Sequence, residues 1–508
     1  MRKLVGIAAV TAVMALTACT GSSPGGSTAP TELDIAAIAP PESFSPGNFG
    51  TGPPTTQFLQ PVYDSLFRNT NEGEPAENIV TKWSYDDART KLSLTIREGV
   101  KFTDGTALDA AAVKANLDSA RKGTGEAGGQ LRFIQEVTVT DAPTSWSRSP
   151  LRTHLSCRTW AEPPVSLPAP KPWEPPELDT TPVGSGPYIL DAAKSQTGIK
   201  YVYTRNADYW NAKDFPFDTV EVTVFNDNNA TLNALRAGET DFAVVTDKDG
   251  NSLKSAGLNI QTSPAYTTSG LYLFDRKGTL VPALAEPKVR QAINMALDRD
   301  AIHAKVFGGK GKATSQVFSS TSDAFIPDLD KKYPFDVDAA KKLLADAGYA
   351  NGFTLPMPDV SPVYPDQQAA VTEALTAIGV TPQYQPVNGQ TFISDLLAGK
   401  YPAAIFGLNS PRPWDFAQIA LTPESLWNPF HVSDPTVVDL INKAQGETGE
   451  AQTETFRQLN TYVVDQAWFA PPYIQSDNVF ASNTEITVTP QRYSTLPPLW
   501  GGFTASKK

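Results

Sequence analysis

Twice along this chain a helix-period run hands over directly to a strand-period run: "NNATLNALRAG" is followed by "TDFAVV", and "QQAAVTEALTAIG" by "VTPQYQPV". Apolar residues recurring at helical spacing and then alternating predict a helix feeding a strand in each case. Three further helices are punctuated at their ends. "DAAAVKANLDSA" begins at Asp109, an N-cap, and spaces Val113 and Leu117 one turn apart. "EPKVRQAINMALDRDAI" places Pro287 in a first turn and sets Val289, Ile293, Ala296 and Leu297 on one stripe. "DVDAAKKLLADAGY" runs from a capping Asp336 through Ala340, Leu343 and Leu344 to Gly348 at its C-terminal end. In "KLSLTIREGVKF", Leu92, Leu94 and Ile96 alternate as in a half-buried strand. The pattern is mixed α/β with some antiparallel sheet, which suits lobes built around central sheets.

The opening "MRKLVGIAAVTAVMALTACTGSSPGGST" has the order of a secretory signal: Arg2 and Lys3, an apolar run from Leu4 to Ala15, then small residues up to Cys19. The run is shorter than the ~20 residues that cross a bilayer as a helix. Removal of residues 1–18 leaves about 490 residues, enough for two to four domains. The net charge of −12 becomes −14 when Arg2 and Lys3 leave, which argues against nucleic acid or a broad anionic membrane surface as partner. Besides Cys19 there is only Cys157, so stability is expected to rest on packing and not on an intramolecular disulfide.

"LTAC", residues 16–19, resembles the lipobox of bacterial lipoproteins, which implies lipidation of Cys19 and a tether over residues 19–30. A second resemblance covers most of the mature chain. The text from "PVYDSLFRNTNEGEPAENIVTKW" through "KFTDGTALDAAAVKANL" is similar to the signature region of the extracellular solute-binding proteins of the peptide/nickel ABC importer family. "VGSGPYIL", "NADYW", "LRAGETDFA", "VRQAINMALDRDAI" and "DAAKKLLADAGYANGF" follow in the family's order. Most of these positions read as framework, with Gly105 and Gly186 in tight turns.

The resemblance implies a two-lobed periplasmic-binding-protein fold (type II, cluster C-like) with an extra domain inserted in lobe I. Lobe I is expected in residues 31–62, 180–264 and 482–508, the inserted domain in 63–179, and lobe II in 265–481. It also implies a monomeric receptor, held outside the cell membrane by the lipid on Cys19. Such a receptor closes on a peptide or peptide-like solute and passes it to membrane permease subunits, with no cofactor and no resident metal. The alternatives are a non-peptide solute such as a metal chelate, or an interaction or signalling lipoprotein on the same fold.

In peptide-binding members a carboxylate near the hinge holds the ligand's α-amino group, because a buried ammonium needs an opposite charge. The similar segment here is "AAIFGLNSPRPWDFAQ", and pairing on Pro413 and Phe416 puts Asn409 at the acid's place. An amide donates and accepts hydrogen bonds but does not neutralise an ammonium. Asp415 could substitute from the adjacent turn, or be an exposed turn carboxylate. Arg412 could meet an anionic ligand, or be a surface arginine. Trp414 and Trp427 offer aromatic faces to a ligand, or fill a core. Phe49 and Tyr266 lie in stretches that the family places near the cleft.

The three histidines lack metal-ligand spacing: His303 reads as structural, His154 lies in an anomalous segment, and His431 alone is near the expected cleft. There is no G-x-S-x-G elbow and no H-E-x-x-H helix, so no hydrolase motif supports an enzyme. The anomalous segment, 142–176, holds nine prolines and three of the nine tryptophans, and its text supports neither the strand nor the helix that family members have there. It reads as a compensated frameshift in the coding DNA or as a natural Pro-rich insert. Resequencing the gene separates the two.

Overall fold

The computed structural model describes residues 31–506 except 42, 46–52, 72, 87–90, 123–130, 132–133, 140–143, 149–179, 226, 388–390, 410–411, 493 and 495. Cys19, Phe49, Cys157 and His154 therefore lie outside the described residues.

Two strands are much longer than the rest: Asn259–Leu273, with 15 residues, and Ala470–Ser482, with 13. They pair with each other, one strand in from the edge, in a nine-stranded sheet ordered Ala403–Asn409, Asn259–Leu273, Ala470–Ser482, Phe242–Val245, Glu32–Ala37, Thr219–Val224, Lys200–Arg205 and Tyr188–Leu190. The short strand Lys312–Thr314 joins off this path, on Ala470–Ser482. Glu32–Ala37 runs parallel to Thr219–Val224 and to Phe242–Val245, and the other pairings are antiparallel.

The length of the two strands lets each contribute to separate cores. At one end Phe480 packs with Leu33, Ile35, Val220 and Phe242, while Val479 and Ala481 pack with Leu232, Leu235 and Leu253. At the other end Leu271, Leu273 and Ala470 pack with Val289, Ile293, Leu344 and Leu375, and Tyr272 packs with Phe318, Phe416 and Phe456. Each fully buried Phe or Leu contributes on the order of 1.5–3 kcal/mol, so each end is a core in its own right. The result is two lobes joined by two strands. Between the ends, the register slips: Ser263 faces Asn478, but Thr267 already faces Ser476. Pro264 cannot donate to the ladder, which accounts for a break at this place.

A third core, with Phe67, Leu94, Val113, Leu117 and Val137, lies against a four-stranded sheet ordered Val80–Tyr85, Lys91–Ile96, Thr144–Arg148, Ile134–Thr138. This corrects one expectation, because Thr144–Arg148 forms a strand although it belongs to the Pro-rich text. Its five residues, TSWSR, fall between Pro143 and Pro150 and include no proline, so the ladder's donors are intact there.

The capping aspartates act as read. Asp109 accepts from Ala112 N and Asp336 from Ala339 N, each at 2.9 Å. One predicted helix is broken in two, Pro287–Ala296 and Arg299–Val306, because Asp298 caps the second by accepting from Ala301 N at 2.9 Å. Gly105 has the positive φ of its turn, +84°. Gly186 does not, and its requirement is close approach: an added Cβ would lie 2.5 Å from the Val62 carbonyl carbon. At Gly184 the clash is worse, 1.9 Å from the Val62 carbonyl oxygen.

Candidate ligand cleft

The strand Ala403–Asn409 ends where the two long strands slip register, with Asn409 paired to Thr267 on the backbone. Tyr266 lies one residue away, inside the slipped stretch. Three expected site residues follow on the short helix Pro413–Phe416 and its cap. Arg412 sits at the cap position, and its Nε donates to Asp415 Oδ2 at 2.6 Å. The side chains of the pair are 13% and 20% exposed, so Asp415 is not an exposed turn carboxylate. Each charge is already matched by the other. Arg412 Nη1 also donates, at 3.4 Å, to the carbonyl of Gly73, 339 residues earlier.

Both tryptophans are half-buried and packed. Trp414 meets Phe456 edge-on with centroids 6.3 Å apart, and Trp427 lies 4.7 Å from Phe406 at 32°. These contacts tie the segment to the Phe318 and Phe416 core and leave part of each indole accessible.

Several residues at the junction escape a reading of the sequence. Gln261 Oε1, Thr268 Oγ1 and Asn478 Nδ2, on the two long strands, are buried without a hydrogen-bond partner among the described residues. Asn69 Oδ1 is in the same condition. Buried polar atoms of this kind need an explanation, and a solute with its own donors and acceptors is one. Asn69 and Asn71 belong to a hairpin that Gln491 and Arg492 hold from the C-terminal segment: Gln491 Nε2 donates to Asn69 O, and Arg492 N to Asn71 O at 3.0 Å. Ser263 Oγ donates to Gln491 O at 3.4 Å. The hairpin, the C-terminal segment and the crossing strands thus meet at one place. These strands are rich in Ser, Thr, Asn and Gln, so no single residue in the sequence stands out as the one left unpaired.

His303 Nε2 contacts Lys310 O at 3.0 Å and His431 Nδ1 contacts Pro423 O at 2.9 Å, both local loop contacts. Among the described residues one acidic group, Glu32, Asp34 and Glu221, brings carboxylate oxygens within 4.8 Å of one another. It lies on two adjacent strands of the first lobe, and Lys200 pairs with Glu221 at 3.0 Å. A 750 Å³ groove with Phe325, Leu440, Arg457 and Tyr462 among its lining contains none of the expected site residues. No helix among the described residues is long and apolar enough to cross a membrane.

The chain belongs to the bacterial extracellular solute-binding proteins, family 5, whose family model matches residues 74–425. This is a family of solute-binding receptors. Among curated relatives, the glutathione-binding protein GsiB of Escherichia coli K12 is 29% identical over 299 residues. That match covers 58% of this chain and 57% of the relative, so the chain spans little more than half the length of the curated relatives it matches. Among solved structures, the binding protein AgaA of A. tumefaciens R10, in complex with agropinic acid, has a TM-score of 0.81 at 20% identity, covering 94% of this chain and 99% of that one. DppA of Helicobacter pylori, in complex with the peptide STSA, has a TM-score of 0.80 at 19% identity and the same coverage. At such identities the likeness shows the two-lobed fold.

Proposed function

We propose that this chain is the solute receptor of an ABC importer, capturing a peptide or peptide-like solute by lobe closure and delivering it to membrane permease subunits without chemical change. The observation that carries the reading is the pair of long strands that enter both lobes and slip register between them. A solute that contacts both lobes favours the closed form, whereas equal contact in both forms shifts nothing. The peptide bound by DppA and the glutathione bound by GsiB support the ligand class. The proposal includes lipid anchoring at Cys19 on the outer side of the cell membrane and a monomeric receptor. It also keeps the division into lobe I (31–62, 180–264, 482–508), an inserted domain (63–179) and lobe II (265–481).

The Arg412–Asp415 pair favours a narrower form of this reading. With Asn409 at the acid's expected place and Asp415 already matched, a ligand whose end near Asn409 is uncharged suits the cleft better than a free peptide ammonium. A blocked or modified peptide fits this, and so does a non-peptide solute, as the agropinic acid bound by AgaA illustrates for a protein of the same fold. Calorimetric titration with free dipeptides, their N-acetylated counterparts and glutathione tests it. Binding of the acetylated peptides in preference to the free ones is expected. Binding of free peptides alone would overturn the narrower form, and binding of none would move the proposal to the non-peptide solutes.

A further inference from the structure

Two arginines tie the second lobe to the rest of the chain at one mouth of the junction, Arg412 by reaching out to the hairpin that opens the inserted domain of lobe I and Arg492 by reaching in from the first lobe. Arg412 sits beside Phe416, in the second lobe's core, and reaches the Gly73 carbonyl on the hairpin between Arg68–Asn69 and Pro75–Ala76. Arg492 lies in the C-terminal segment, whose Val488 and Leu496 belong to the first lobe's core. Its Nη2 reaches the Thr321 carbonyl at 3.1 Å, between Phe318 and Ala324 of the second lobe's core. The two bridges are coupled through the hairpin, because the Arg492 backbone N–H donates to Asn71 O, two residues from Gly73.

We infer that Arg412 and Arg492 form a reciprocal latch that holds the lobes closed through guanidinium-to-carbonyl bonds. Both acceptors are backbone oxygens, so the latch does not depend on side chains of the opposite lobe. Asp415 keeps the Arg412 side chain extended toward the hairpin by its 2.6 Å bond, which lowers the entropy lost when the bridge forms. Because both bonds join protein to protein, they contribute to closure whichever solute is bound. The latch therefore sets the fraction of chain in the closed form, and apparent affinity scales with that fraction. The inference rests on the two-lobed fold and not on the ligand's identity.

The test is small-angle scattering of the chain from residue 20, which contains every described residue, for wild type, Arg412→Ala, Arg492→Ala and the double variant. Cooperative thermal unfolding serves as the check on folding. The two bonds are 3.4 and 3.1 Å long and count as ordinary hydrogen bonds, whose net worth corresponds to about a fivefold change in an equilibrium, so each single substitution is expected to lower the closed-to-open ratio about fivefold and the double variant about twentyfold. The radius of gyration is expected to rise in that order. A double variant that melts cooperatively and scatters like the wild type overturns the latch. So does a wild-type chain without added solute that already scatters as the open form. Should Arg412→Ala fail to fold, Arg492→Ala decides alone, and Asp415→Asn, which loosens Arg412 while keeping it, is expected to shift the ratio in the same direction.

Discussion

The Tyr209 hydroxyl donates to Asp64 Oδ1 across 2.8 Å, joining two sequence motifs 145 residues apart. Ser185 Oγ reaches the other carboxylate oxygen at 3.1 Å and Trp210 Nε1 reaches it at 3.4 Å. "PVYDSLF", "VGSGPY" and "NADYW" are therefore parts of one buried hydrogen-bonded cluster. Arg68 extends it, donating to Asp214 at 2.9 Å and lying over the rings of Trp210, Phe215 and Trp500. Burial pushes the Asp64 carboxyl up from its ordinary range, while the Tyr209 bond and the Arg68 charge oppose that rise.

Asp64→Ala leaves three donors without their acceptor in the core, so it is expected to cost about 3 kcal/mol of stability. Asp64→Asn keeps an acceptor and is expected to cost less. Urea unfolding of the two variants, compared at equal slope, checks the order.

Gly184 and Gly446 give a matched contrast. Gly184→Ala drives a Cβ into the Val62 carbonyl and is expected to cost ~3 kcal/mol or to prevent folding. Gly446 closes the helix Pro435–Gly446 with nothing within 4 Å of an added Cβ, and Gly446→Ala is expected to raise stability by about 0.5 kcal/mol. Thermal midpoints of the two variants separate these outcomes.

Asp34 gives the stability a pH dependence. Burial first, then the Asp241, Glu32 and Glu221 charges, push its carboxyl up to about 7, with Lys200 opposing. A raised folded-state value means that the contribution is fully present below the ordinary value of 3.8 and is lost as pH rises through about 7. A tenfold gain in proton affinity on folding corresponds to about 1.4 kcal/mol, and solvent screening of this partly exposed group reduces the total to roughly 1–2 kcal/mol. Asp34→Asn is expected to flatten the fall in stability between pH 4 and pH 8, measured by denaturant titration across that range. An unchanged slope would assign the dependence to other groups.

Asn409→Asp puts a carboxylate at the place proposed for the acid, in addition to the already paired Asp415. It is expected to raise affinity for peptides with a free amino end by about tenfold, one charge-assisted contact's worth. Titration of the same dipeptides against both forms reads the change directly.

The local signals in the sequence are sound where one residue decides the structure. Asp109 and Asp336 are seen as caps because capping needs only a side-chain oxygen three residues before its donor. The break at Leu297 and Asp298 is hidden because the apolar stripe continues through it while the cap interrupts it. Thr144–Arg148 is hidden because surrounding prolines dominate the reading of a strand that its neighbours complete. On the short helix after Asn409, the spacing of Arg412 and Asp415 fits a local ion pair. Gly73, Arg492 and Asn69 carry no such signal, since their partners lie in distant parts of the chain.

The central claim is capture of a small solute between the lobes. Its most direct test is a native mass spectrum of the chain purified gently from its own host, followed by activation of any adduct and a melt with the released compound added back. A small molecule that leaves on activation and raises the melting temperature on return is the predicted result. A bare chain whose melting temperature no fraction of host medium changes would contradict the claim and favour an interaction role for the same fold.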